Sequence, residues 1–168
     1  FNRIFIYMFI TNGQIKYLFK VFKSLLDVTQ EARFNYFVSR NITKLSKRVD
    51  KILEKEKKIG KPTKTRNDFE KLRVELLKSL AKKDKKGNPI IKDNQYVLTD
   101  QSLKLLKEKA TKLEGYDDVV KELQDQTNKL IDLSHKKTYI RLAKLNRENL
   151  PKDLTAKTLL PIIDLIKD

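Results

Sequence analysis

Apolar residues recur at helical spacing through most of the chain and condense into short runs at a few places. From residue 12 onward, Ile15, Leu18, Phe19, Phe22, Leu25 and Leu26 lie three and four apart, which predicts an amphipathic helix capped by Thr11 or Asn12 and ending near Asp27. After a break over residues 27–30, Phe34, Val38, Ile42, Leu45, Val49, Ile52 and Leu53 mark one face of a long helix over residues 31–59, stopped by Gly60 and Pro62. A third helix begins near Arg66 or Asn67, carries Phe69, Leu72, Leu76, Leu77 and Leu80, and gives way to the Lys-rich residues 82–87.

Beyond residue 87 the pattern changes. Pro89, Ile90 and Ile91 are separated from Tyr96, Val97 and Leu98 by the polar turn Lys92, Asp93, Asn94, Gln95, which predicts a β-hairpin over residues 87–98. Thr99 then caps a helix with Leu103, Leu106, Ala110 and Leu113 on one stripe. Gly115 either breaks or kinks it before Tyr116, Val119, Val120, Leu123, Leu130 and Ile131 continue. Residues 138–145 suit a short strand beside the hairpin as well as a further helical turn, and Pro151 ends them. A last short helix, capped by Asp153 or Thr155, presents Leu159, Leu160, Ile162, Ile163 and Ile166, with Pro161 acceptable only near its start.

These elements define a mainly α fold of long amphipathic helices packed as helical hairpins, with a small β-hairpin or three-stranded sheet near residues 88–98 and 138–145. The expected organisation is an apolar N-terminal extension over residues 1–10 and a single helix-rich domain over 11–168. That domain comprises a helical hairpin (11–83), the β-hairpin (87–98), a second helical part (99–134) and a C-terminal strand and short helix (138–168).

Composition sharpens the picture. Charged residues make up 36% of the 168 and hydrophobic ones 39%, a balance suited to amphipathic helices around a narrow core. The net charge of +16 makes polyanions natural partners, although Lys, Asn, Ile and Phe are also the residues an AT-rich genome overproduces. Cysteine is absent, so there is no disulfide framework and no thiolate metal site. The apolar run of residues 4–10 follows Arg3, is far shorter than the ~20 residues of a membrane span and lacks a signal-cleavage pattern. The default location is cytoplasmic, without secretion or membrane signal.

On a helical wheel at ~100° per residue, Arg33, Arg40, Lys44, Lys47, Lys51, Lys55 and Lys58 fall within about 40° of one line on the long helix. The apolar residues centre roughly 130° away, so one face packs and another is cationic. At ~1.5 Å per residue the stripe is about 37 Å long, enough to track several phosphates. Solvated helix faces ordinarily interleave both signs at four-residue spacing, and no acid interrupts this one. The stripe is the candidate surface for nucleic acid or an acidic partner, against the plainer reading of a solvated face or one answered by Glu114, Asp117, Asp118, Glu122 and Asp125. Tyr36 and Phe37 adjoin its upper end and are candidates for stacking on bases, as well as for packing on the first helix.

Catalytic chemistry finds little support. His135 is the lone His, beside Lys136 and Lys137, and has no Cys or second His for a metal cluster or thiol dyad. Asp117 with Asp118, and Asp50 with Glu54, lack the convergent partners that metal-dependent phosphoryl transfer requires. Gly13, Gly60, Gly87 and Gly115 are isolated and build no phosphate-cradling loop. The expectation is a protein without catalytic residues, metal, cofactor or small-molecule substrate.

Three short stretches resemble one group of proteins. Thr11-Asn12-Gly13-Gln14-Ile15 shortly after Met8, with Ala32-Arg33-Phe34 opening a Lys- and Glu-rich helix, is the first. Lys82-Lys83-Asp84-Lys85-Lys86-Gly87-Asn88-Pro89-Ile90 is the second, and Leu150-Pro151-Lys152-Asp153-Leu154-Thr155 leading to Asp164-Leu165-Ile166-Lys167-Asp168 the third. Together they resemble small uncharacterised bacteriophage proteins, some of which fall under the domain of unknown function DUF1617. The resemblance implies a phage origin, hence the host cell cytoplasm or a virion as the expected location, and Met8 as the original start. It defines no functional residues, and the strong positive charge departs from the group. The function expected from all this is a non-enzymatic phage-encoded accessory protein that docks on a large nucleoprotein or virion assembly through its basic helix face. Its rivals are an inhibitor of a host defence nucleoprotein complex and a purely structural oligomer.

Overall fold

The architecture follows from a computed structural model of the chain, which describes residues 5–26 and 31–167. In chain order the elements are β1 (Phe5–Thr11), α1 (Asn12–Leu25), α2 (Ala32–Ile59), α3 (Lys64–Leu80), β2 (Ile91–Lys92), β3 (Gln95–Tyr96), α4 (Asp100–Ala110), α5 (Tyr116–His135), β4 (Lys137–Ala143), β5 (Leu145–Asn146), α6 (Ala156–Leu159) and β6 (Ile166–Lys167). Short 3-10 turns at Arg147–Asn149 and Leu160–Leu165 join the last of these. The mainly helical class with small β pairings is what the structure has. Ile4, the end expected near Asp27 and the break at 27–30 lie outside the described residues.

Where length suggested one domain, the chain divides into two compact units, residues 1–59 with 129–168 and residues 60–128. In the first, α1 and α2 pack together and their apolar faces bury Ile15, Leu18, Phe22 and Leu25 against Phe34, Phe37, Val38, Leu45, Val49 and Ile52. The helical hairpin is thus made of α1 and α2 alone, and α3 belongs to the other unit. Thr11 caps α1 in a reciprocal box: the Gln14 N–H donates to Thr11 Oγ1 at 3.1 Å and the Thr11 N–H to Gln14 Oε1 at 2.8 Å.

The N-terminal apolar run is no extension from Phe5 onward. It forms β1, which pairs antiparallel with β4 from Phe5 opposite Ala143 to Thr11 opposite Lys137. The strand expected at 138–145 therefore exists, and its partner is this segment rather than the hairpin of residues 91–96. The reason is burial. Ile10, Ile140 and Leu142 are buried on the inner face of the pair and join the α1–α2 core, with Ile6 and Met8 packed against it. Leu145, Ile162 and Leu165 complete that core, with β5 and β6 pairing parallel.

The second unit has a smaller buried set, Phe69, Ala81 and Val119. Its hairpin turns on Asp93 and Asn94, both with positive φ (51° and 60°), the two-residue turn whose twist matches antiparallel strands. Gly115 settles the break between α4 and α5: at φ +81° it takes a left-handed conformation, and its carbonyl accepts from the Val119 N–H at 2.9 Å to open α5. Glu122 binds the start of α3, accepting from the Thr63 N–H at 3.2 Å and from the Thr63 hydroxyl, with Arg66 3.8 Å away. These contacts hold the Glu122 carboxyl below its ordinary range, the Thr63 hydroxyl contributing most.

Candidate nucleic-acid interface

All seven cations of the predicted stripe stand on α2, because its Lys, Arg, Glu and Leu residues cost little in helix propensity and Gly60 ends the run. Lys44, Lys47, Lys51 and Lys55 are exposed, and among the described residues none of them has a carboxylate within ion-pair distance. At the far end Lys58 pairs with Glu54 at 2.8 Å, an exposed contact that lowers the Glu54 pKa chiefly through the Lys58 hydrogen bond. Glu56 turns the other way to meet Lys16 at 2.6 Å. At the upper end Arg33 donates to Asn149 Oδ1 at 3.0 Å.

Arg40 connects the stripe to aromatic residues. Its guanidinium donates to the Tyr36 hydroxyl at 3.1 Å and lies 4.9 Å from the centre of the Phe5 ring. Tyr36 is 63% exposed, as a stacking candidate must be. Phe37 is not: it is 3% exposed and packs on Phe22 and Phe34 at ring separations of 5.8 and 6.1 Å. Its position on the border between the cationic and apolar arcs puts it against α1, so it is a core residue and drops out of the candidate surface.

The sequence pattern missed the face that β1 and β4 turn outward. The Asn12 N–H donates to the Lys136 carbonyl at 3.0 Å, and the Thr11 N–H goes to Gln14 instead of β4. That makes Thr11–Lys137 a non-hydrogen-bonded pair. By two-residue periodicity, Phe9–Tyr139, Tyr7–Arg141 and Phe5–Ala143 are non-hydrogen-bonded pairs as well. In such pairs the side chains stand closest, and the Phe9 and Tyr139 rings are 5.0 Å apart at a tilt of 37°.

The outward face therefore reads Tyr7, Phe9 and Thr11 on one strand and Lys137, Tyr139 and Arg141 on the other, with no carboxylate, and it closes at the last pair, where Phe5 packs against the core and Ala143 is buried. Tyr7, Phe9 and Tyr139 are 65%, 57% and 66% exposed. Arg141 lies 3.7 Å from the centre of the Phe5 ring and 5.6 Å from that of Tyr7, and the Lys137 ammonium 5.8 Å from that of Phe9. A shallow groove lined by Tyr7, Tyr139, Ile140 and Arg141 from the strands and by Lys44 and Arg48 from α2 joins this face to the stripe. The sequence signal was the recurrence of rings at Phe5, Tyr7 and Phe9, every second position, inside a run that reads as uniformly apolar.

The remaining candidates for chemistry stay apart. His135 is exposed at the end of α5, and among the described residues no group of three His, Asp or Glu gathers where it could hold a metal. No described helix is long and apolar enough to cross a membrane. No family model matches this chain, and neither does any curated protein or solved structure.

Proposed function

We propose that this chain is a non-enzymatic binding protein that docks on nucleic acid, free or within a large nucleoprotein assembly, through the basic face of α2. The observation that carries the reading is the run Lys44, Lys47, Lys51 and Lys55: four exposed ammonium groups on one helix face with no carboxylate within ion-pair distance among the described residues, Lys55 meeting Glu54 only through its longer-range field. Like charges at this spacing repel along a helix, so a face left in this state gains from a polyanion that neutralises it and releases its own counterions. The motifs that resemble small phage proteins extend the proposal to a virion or an infected cell, and that part rests on those motifs alone.

The test is retention of a labelled single strand and a labelled duplex by the full chain over a salt series. Affinity for at least one of them falls by ~0.7 to 0.9 log units per log unit of salt for each phosphate contacted. Lys44→Glu, Lys47→Glu and Lys51→Glu together abolish binding while the circular dichroism of the helices is unchanged. Binding that survives the triple change, or an affinity indifferent to salt, removes the stripe from the interface. A second reading, a structural oligomer, draws on exposed apolar side chains of the second unit such as Leu103, Leu105 and Leu123. It predicts a salt-insensitive multimeric mass in light scattering and no retention of nucleic acid.

A further inference from the structure

We infer that the outward face of the β1–β4 pair is a base-stacking platform, so that the ligand is a single strand with unpaired bases, the phosphates following α2 and the bases lying on Tyr7, Phe9 and Tyr139. This rests on the reading of α2 as a phosphate-binding face and names the class of nucleic acid it takes.

The arrangement meets the two requirements of single-strand recognition, a cationic track for the backbone and flat rings on which bases stack. The rings come from the sheet. Three of them are more than half exposed on one face, although burial of such side chains is the ordinary way to gain stability from them. They stand in the close cross-strand pairs of an antiparallel ladder, at a spacing of ~6.6 Å along β1, two residues of strand rise. The cations come from both elements. Arg141 and Lys137 lie over rings of the platform itself, and Arg40 joins Phe5 of the sheet to Tyr36 on α2. Lys44 and Arg48 form the far wall of the groove whose near wall is Tyr7, Tyr139 and Arg141, so one strand can place its phosphates on α2 while its bases reach the rings.

Charge decides among the occupants of this apolar face. A second copy of the chain would bring Lys137, Arg141, Lys44 and Arg48 against their own counterparts, and like charges set against each other oppose such a dimer. An acidic protein surface would satisfy the cations and leave three rings without flat partners. A duplex keeps its bases stacked on one another and offers the rings none. An unpaired strand uses both features at once.

The experiment measures anisotropy of labelled ten-residue probes titrated with the full chain: oligodeoxyadenylate, oligoriboadenylate, an abasic phosphodeoxyribose strand with the same number of phosphates, and a DNA hairpin duplex. The chain has six tyrosines and no tryptophan, so the part of the intrinsic-fluorescence quenching that is lost on substitution of Tyr7 and Tyr139 reports stacking on those two rings. Base-bearing strands are expected to bind at least ~10-fold tighter than the abasic strand, with quenching that the abasic strand does not produce. Tyr7→Ser with Tyr139→Ser is expected to reduce that preference by the share of two rings, each contributing roughly 5- to 160-fold, to leave what Phe9 supplies, and to keep the salt dependence unchanged. Tyr7→Leu with Tyr139→Leu, which keeps apolar cover on the strands, reduces it equally and guards against unfolding of the Ser variant.

Equal affinity for abasic and base-bearing strands, preference for the hairpin, or a base preference undiminished in both double variants overturns the platform, and in each case phosphate binding by α2 stands. A concentration-dependent dimer in sedimentation that Tyr139→Ser dissociates overturns it in favour of a second copy. Failure of every probe to bind overturns both readings together. Comparison of the two adenylate probes separates RNA from DNA within the platform reading.

Discussion

The side-chain amide of Asn41 on α2 takes both backbone groups of Ala143 at the end of β4: the Ala143 N–H donates to Asn41 Oδ1 at 2.8 Å, and Asn41 Nδ2 donates to the Ala143 carbonyl at 3.2 Å. Ala143 stands opposite Phe5 in a non-hydrogen-bonded pair, so these two groups point away from β1 and would otherwise lie orphaned in the core. Asn41 stands in for a third strand and fixes the sheet, with its outward rings, to the basic helix.

Asn41→Ala is expected to destabilise the first unit by roughly 2–4 kcal/mol, since a buried donor and a buried acceptor both lose their partner. Asn41→Asp keeps an acceptor for the Ala143 N–H and has no donor for the carbonyl, and as a carboxylate with no exposure it is expected to cost at least as much. Urea unfolding followed by circular dichroism measures both. An Asn41→Ala midpoint equal to that of the parent protein would mean that the amide does not hold the strand.

The same residue explains which parts of the fold could be read from sequence and which could not. Asn41 falls inside the apolar arc of α2 and is fully buried there, yet residue type alone counts it as an interruption of the core face. The helices were legible because a period of 3.6 is a local signal, repeated over four turns in α1 and eight in α2. The pairing of β1 with β4 joins segments more than a hundred residues apart. Each segment carried a local hint, the period-two rings of β1 and the alternation from Lys137 to Leu142. Neither hint names its partner, so the segment at 138–145 was set beside the nearer hairpin. The basic stripe was legible for the same reason as the helices, and the aromatic face beside it was not, because it exists only once the two strands meet.

Acid is expected to loosen the second unit through Glu122. Its carboxyl is held below the ordinary value of 4.5 by the Thr63 hydroxyl first and then by the Thr63 N–H and Arg66. A group whose folded pKa is depressed binds fewer protons folded than unfolded, so stability rises with pH in that window. The contribution is complete above 4.5 and is lost as pH falls through the lowered folded value. Asp84, depressed chiefly by the Asn88 N–H, and Asp68, depressed by Lys71, act in the same direction. Glu122→Gln is therefore expected to flatten part of the acid limb of melting temperature against pH and to leave the rest. An unchanged acid limb would rule out the Glu122 contacts as its source.

Gly115→Ala is expected to cost more than Gly87→Ala, and the difference measures one contact. Both glycines have φ near +80° (+81° and +84°), where a Cβ costs roughly 1–2 kcal/mol. A Cβ at Gly87 meets nothing within 4 Å, whereas at Gly115 it stands 3.2 Å from Thr65 Cγ2. Guanidinium unfolding of the two variants checks this, and Gly115→Ala with Thr65→Ser is expected to recover the excess. Equal losses at the two glycines would show that α3 yields at Thr65 without resistance.

Tyr36 and Phe37 are adjacent, both aromatic and both next to the stripe, and are expected to respond oppositely to truncation. Phe37→Ala removes a ring packed between Phe22 and Phe34 in the core and is expected to cost about 3–5 kcal/mol. Tyr36→Ala removes a mostly exposed ring whose hydroxyl engages Arg40, and its effect on stability is expected to stay below ~1 kcal/mol. In oligonucleotide titrations at a temperature where both variants remain folded, the order reverses. Tyr36→Ala removes the hydroxyl that positions the Arg40 guanidinium, leaves Arg40 its contact with the Phe5 ring, and takes a ring from the edge of the cationic face, so it weakens binding, whereas Phe37→Ala leaves the affinity of the folded fraction unchanged. A weakened affinity in folded Phe37→Ala would restore Phe37 to the binding surface and place the α1–α2 seam under the ligand.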